Sequence, residues 1–147
     1  YKAQQLNYNP KVILSGREIN DNMSKEIANK VIKHLNKNFI RIYKKKILIL
    51  GFSFKENSRD IRNTKVIDLY NYLKKKKYSI DIYDPIVDKI DVQKKYKVNL
   101  KNRIDNKGYH AIIVAVPHDK IKKQLNKKII KNISEKNSII IDLKNSL

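Results

Sequence analysis

The densest run of chemically capable side chains is Lys55-Glu56-Asn57-Ser58-Arg59-Asp60-Ile61-Arg62, directly after Gly51-Phe52-Ser53-Phe54. Cations in such a run suit an anionic ligand, lysine as a point charge and arginine as a planar fork that can grip phosphate oxygens with paired hydrogen bonds. Thiol and metal chemistry have no such provision. The 147 residues include no cysteine, so they carry no disulfide, no thiolate metal site and no thiol nucleophile. The three histidines, His34, His110 and His118, share no metal-ligand spacing. His118 invites acid–base chemistry because histidine titrates near neutrality, but at the end of an apolar run it fits a loop-supporting residue better. Asp84, just before Pro85, is read as a turn-forming residue rather than a ribose-binding acid. The glycines number three, Gly16, Gly51 and Gly108. They are too far apart for the dinucleotide fingerprint or the phosphate-cradling loop of the Walker type.

The elements that must position these residues are legible from periodicity. Ile47–Leu50 is a continuous apolar run ending at Gly51, as expected of a strand buried on both faces. Asn63 or Thr64 opens a helix with the stripe Val66, Leu69, Tyr70 and Leu73, running out in Lys74–Lys77. Ser79–Tyr83, Ala111–Val116 and Ser138–Leu143 read as three further strands, and a helix carrying Ile121, Leu125, Ile129 and Ile133 separates the last two. Strands alternating with helices imply an α/β fold, a Rossmann-like parallel sheet flanked by helices. Ligands then belong at the carboxyl ends of the strands, at Gly51–Lys55, Asp84–Pro85, Pro117–His118 and Asp142–Lys144. Ahead of the sheet, Met23, Ile27, Val31 and Leu35, widened by Ile32, mark an amphipathic helix from Asn20 to about Asn36, capped by Asn20 or Asp21. A short helix is expected over Tyr1–Leu6, with a break at Asn9–Pro10.

A hydrophobic fraction of 41% and a charged fraction of 33% describe a folded, very soluble chain long enough for one compact domain with some appended structure. No apolar run approaches the ~20 residues that cross a bilayer, and the first residues lack the parts of a signal peptide. No membrane partner is expected, and the expected location is cytoplasmic. The net charge of +20 raises a second reading, a basic nucleic-acid or polyanion-binding α/β module. Its lysines are spread over nearly every segment and accompany abundant asparagine and isoleucine, which favours a compositional bias over a nucleic-acid site.

The run from Ile47-Leu48-Ile49-Leu50-Gly51-Phe52-Ser53-Phe54-Lys55 to Asp60-Ile61-Arg62-Asn63-Thr64-Lys65 resembles the carboxy-terminal UDP-binding domain of the UDP-glucose/GDP-mannose dehydrogenase family. That pattern is a strand ending in Gly, then Phe-Lys, four variable residues, Asp-x-Arg and a helix. Tyr83-Asp84-Pro85, Ala115-Val116-Pro117-His118 and Asp142-x-Lys144-Asn145 fall where the family has comparable segments. Tyr1-Lys2-Ala3 and Ile13–Asp21 are similar to the segment that follows the cysteine-bearing loop, particularly in the branch that oxidises UDP-N-acetylmannosamine or UDP-N-acetylgalactosamine.

The resemblance implies residues 1–43 as the end of a central helical, dimer-forming domain and residues 44–147 as the UDP-sugar-binding domain. It implies oxidation of a UDP-hexose or UDP-hexosamine C6 alcohol to the uronate with two NAD, through a thioester on a cysteine expected shortly before Tyr1, in surface polysaccharide biosynthesis. No catalytic residue is then expected in this chain, which acts with the rest of the same polypeptide and as a homodimer. Phe54 and Lys55 are implied at the UDP-sugar, with packing and a solvated lysine as the respective alternatives. Arg62 is implied at NAD, with an internal pair to Asp60 as the alternative. Lys144, where relatives often carry arginine, is implied at the substrate, keeping the charge but losing the fork; a solvated lysine is the alternative.

Overall fold

The computed structural model describes the backbone of residues 11–105 and 107–146, with side-chain surroundings from residue 22 onward. The expected Tyr1–Leu6 helix and the Asn9–Pro10 break lie outside the described residues. In chain order the elements are α1 (Lys11–Asn38), β1 (Lys46–Leu50), α2 (Val66–Lys74), β2 (Ser79–Tyr83), α3 (Lys89–Tyr96), β3 (Tyr109–Val114), α4 (Asp119–Gln124), α5 (Lys127–Ile133) and β4 (Ser134–Asp142).

The strands form one sheet in the order β2-β1-β3-β4, every pair parallel. Because successive side chains on a strand point to opposite faces, each strand feeds two cores. Ile47, Ile49, Ile82, Ala111 and Ile113 meet α1, α2 and α3 on one face through Val31, Leu35, Leu69, Leu73 and Val92. Leu48, Leu50, Ile112 and Val114 meet α4 and α5 on the other through Ile121, Ile130 and Ile133. This two-sided burial is why β1 and β3 read as unbroken apolar runs.

Several expected boundaries shift. Asn20 and Asp21 do not cap α1, which already runs from Lys11. Ile19 carries the four-residue spacing of the stripe a further turn, and Gly16 costs a helix only about 1 kcal/mol. The expected α2 start at Asn63 or Thr64 moves to Val66, although Thr64 Oγ1 still accepts the Val66 N–H at 3.3 Å. β3 ends at Val114 rather than Val116, because the Ala115 and Val116 amides both turn to the Leu50 carbonyl, at 2.9 and 3.0 Å. The single helix expected through Ile121 and Ile133 is two: Leu125 is extended, and Asn126 caps α5 by accepting the Ile129 N–H at 3.0 Å. β4 begins at Ser134, with a register shift opposite Tyr109 and Ala111. Helix α3 has no counterpart in the sequence expectations.

Candidate functional site

In the order β2-β1-β3-β4 the chain leaves β1 toward one neighbour and later returns on the other side, so the carboxyl ends of β1 and β3 flank a switch point where open α/β sheets seat ligands. Gly51 makes that junction possible. At φ +86 it takes a conformation that L side chains rarely adopt, and a Cβ there would lie 2.3 Å from the Val116 carbonyl oxygen. The loops after β1 and β3 are thereby brought into direct contact.

The β1 loop, residues 52–62, is held from beneath by a buried polar cluster. Asp84 and His118 are fully buried, and Ser53 and Thr64 nearly so. Asp84 Oδ2 accepts the Phe52 N–H at 2.7 Å, the Ser53 N–H at 3.3 Å and His118 Nε2 at 2.9 Å. Its Oδ1 accepts the Ile86 and Val87 amides at 2.8 and 3.2 Å. Burial pushes the Asp84 carboxyl up, but the donors from His118, Ile86 and Phe52 together outweigh it and hold the group below the usual carboxylate range. His118 Nδ1 accepts the Asn57 N–H at 2.8 Å, which places the ring proton on Nε2 facing Asp84. Asn57, at φ 56, exchanges two further hydrogen bonds with Asp119, at 2.8 and 3.0 Å. No buried side-chain polar atom among the described residues lacks a partner.

Above this base the sequence-predicted residues are displayed. Phe54 closes the neck of the loop, its N–H donating to the Asp60 carbonyl at 2.7 Å, while the residue as a whole is 56% exposed. Lys55 is exposed next to it, and no ion pair found among the described residues involves its ammonium. Phe54 and Lys144 line one cleft of about 500 Å³, walled by Met23 and Ile27 of α1, Leu69 of α2 and Leu143. Lys55 and Arg62 lie outside that lining. Arg62 grips Asp60 in a two-point pair, Nε to Oδ1 at 3.0 Å and Nη2 to Oδ2 at 2.9 Å, and the bond from Arg62 draws the Asp60 carboxyl down to about 2. Lys144 Nζ meets Glu56 Oε1 at 2.6 Å.

Sequence reasoning missed four contributors. Glu56 pairs with Lys144 and stands 3.8 Å from Lys122, so it ties the β1 loop to the end of β4. Asn57 and Asp119 join the β1 and β3 loops, and the signal was an asparagine in a tight turn, which tolerates the left-handed region. Ser24 of α1 donates to the Lys65 carbonyl at 3.1 Å, a contact no periodicity announces. Among the described residues no cluster of three His, Cys, Asp or Glu side chains could hold a metal ion, and no described helix is long and apolar enough to cross a membrane.

A parallel sheet covered by helices on both faces, with a cleft at the switch point, defines a Rossmann-like α/β domain. The chain belongs to the UDP-glucose/GDP-mannose dehydrogenase family, whose UDP binding domain matches residues 48–147. It is 39% identical to a UDP-N-acetyl-D-glucosamine 6-dehydrogenase of Salmonella typhi over 144 residues, 98% of this chain and 34% of the relative. It is 38% identical to protein CapL of Staphylococcus aureus with the same coverage. Among solved structures, a UDP-D-ManNAc dehydrogenase of Pyrococcus horikoshii superposes with a TM-score of 0.74 at 23% identity, over 99% of this chain and 32% of that one. The chain thus spans about a third of the length of the relatives it matches.

Proposed function

We propose that this chain is the UDP-sugar-binding part of an NAD-dependent nucleotide-sugar 6-dehydrogenase, with residues 44–147 as the binding domain and residues 1–43 as the end of a central helical region. The observation that carries the reading is the β1 loop: Phe54 and Lys55 stand at the switch point on a backbone pinned to Asp84 and His118. An exposed ammonium fixed there suits the diphosphate of a UDP-sugar, with Phe54 as an apolar contact beside it. Lys144, across the cleft from α1, is a second substrate contact.

Binding energy gathered at the nucleotide end serves catalysis by fixing the sugar where reaction occurs, so this part of the molecule contributes orientation rather than bond-breaking. The C6 alcohol goes to the uronate on other portions of the polypeptide, which supply the thiol that these residues lack. That oxidation releases two hydrides, which two NAD would take up in turn when bound. The exposed Arg62 fork fits a pyrophosphate once it turns from Asp60, and with no glycine fingerprint here the rest of that cofactor site lies elsewhere. The substrate class is a UDP-hexose or UDP-N-acetylhexosamine destined for surface polysaccharide, and the enzyme is a cytoplasmic homodimer.

Calorimetric titration of the chain with UDP-glucose and UDP-N-acetylglucosamine tests this directly. Saturable binding of one ligand per chain is expected, weakened about tenfold or more by Lys55→Ala, the scale of a lost charge-assisted hydrogen bond. Absence of binding, or equal binding by the variant, removes the role given to the loop.

A further inference from the structure

The buried pair Asp84 and His118 lies outside both apolar clusters, yet it is fully dehydrated and every polar atom in it is satisfied. Dehydrating a carboxylate is costly unless donors replace water, and here the donors come from three different strand ends. Phe52 and Ser53 follow β1, Ile86 and Val87 follow β2, and His118 follows β3. The imidazole extends the connection upward, since its Nδ1 takes the Asn57 N–H and its Nε2 stands 3.2 Å from Ser53 Oγ. Phe54 and Lys55 sit between these two anchored residues.

We infer that His118, relaying Asp84 to Ser53 and Asn57, is a positioning residue that fixes the reach of Phe54 and Lys55 over the crevice and thereby sets affinity for the diphosphate of a UDP-sugar. The inference rests on the UDP-sugar reading of the loop proposed above. The alternative is that the pair merely stabilises the fold. Two features separate them. Both ring nitrogens of His118 are spent on the loop and its base, none on a helix or strand amide, and Asn57 is pinned again through Asp119. A loop ordered before its ligand arrives spends less of the binding energy on its own ordering, which is how pre-organisation raises affinity.

The test pairs UDP-glucose calorimetry with amide hydrogen exchange on the chain and its His118→Ala variant. The expected result is affinity lower by about tenfold, the scale of a buried donor and acceptor losing their partner, together with faster exchange at Phe52, Ser53 and Asn57 while Leu48–Leu50 and Ile112–Val114 keep their protection. Where His118→Ala does not fold, His118→Gln carries the test. It keeps an N–H for Asp84 and places no acceptor where Nδ1 was, so Asn57 protection and affinity should fall together.

Wild-type affinity in a folded variant whose Asn57 protection is gone overturns the positioning role and leaves the UDP-sugar reading standing. Loss of protection across β1 and β3 alike, with affinity tracking only the folded fraction, assigns the pair to stability and overturns it as well. An unsubstituted chain that does not bind UDP-glucose overturns the UDP-sugar reading, and this inference with it.

Discussion

Two of the cations at the candidate site are engaged by carboxylates of the β1 loop: Lys144 by Glu56 and Arg62 by Asp60. An anionic ligand must therefore exchange one partner for another at these positions, whereas Lys55 needs no such exchange, which singles it out for the first contact. The Asp60 pair is measurable. The bond from Arg62 places that carboxyl at about 2, below the ~3.9 of a free aspartate. Its contribution is present above the unfolded value and fades as pH falls toward about 2. Carboxyl-carbon NMR of the chain should show Asp60 titrating near 2 and moving part of the way up toward the ordinary aspartate range in Arg62→Ala, which removes the guanidinium but keeps the backbone N–H bond to Asp60 Oδ1; an unmoved midpoint would place the cause elsewhere. Local chemistry of this kind is legible in Asp-x-Arg, where partners stand two residues apart. The Asp84 cluster was only half legible. Its turn-forming oxygen meets Ile86 and Val87, as an aspartate before proline suggests, but the other oxygen meets Phe52, Ser53 and His118, more than thirty residues away in the chain.

Among the elements, those that announced themselves were buried on two faces or striped at helical spacing. β1, β2 and α2 lie within a few residues of their expected bounds: β1 is buried from Ile47 to Leu50, β2 ends in buried Ile82 and Tyr83, and α2 buries Val66, Leu69 and Leu73 at helical spacing. Helix α3 went unread because Val92 is its one buried residue; Asp88 organises it instead, its side chain accepting the Ile90 and Asp91 amides. The split between α4 and α5 was masked by an apolar spacing that runs through Leu125 and Ile129, while Asn126 chooses the cap over the helix. Gly51 is the junction on which the site's geometry turns. A methyl group there meets Val116 backbone and Cβ at 2.3 to 2.8 Å, and the positive φ adds strain. Gly51→Ala should cost roughly 2–6 kcal/mol, the sum of overpacking and left-handed strain, seen as a lower urea midpoint by circular dichroism. A midpoint equal to the parent's means that the β1 and β3 loops can part without cost, and the junction is not a constraint.

At the scale of the whole molecule, the +20 charge bears on the competing polyanion reading. The cations are carried by elements on both faces of the sheet: Lys74 on α2 and Lys94 and Lys95 on α3 lie opposite Lys122, Lys123, Lys127 and Lys131 of α4 and α5. A duplex lies against one side of a molecule, so it can neutralise only a fraction of them, and the partnership is electrostatic and without register. Its affinity is then governed by counterion release and should collapse by about 10³ or more between 50 and 200 mM salt if six or more phosphates are engaged. A UDP-sugar presents a compact diphosphate to one fixed loop, so its binding depends on few charges and should weaken only several-fold over the same range. Fluorescence anisotropy with a labelled duplex, run beside UDP-glucose calorimetry at both salts, distinguishes the two. Sequence-selective duplex binding that survives 200 mM salt, with UDP-glucose binding absent, would shift the assignment to the basic module; the pinned loop at the switch point argues for the opposite outcome, because a surface that binds by dispersed charge has no need of a buried Asp84 and His118 beneath one lysine.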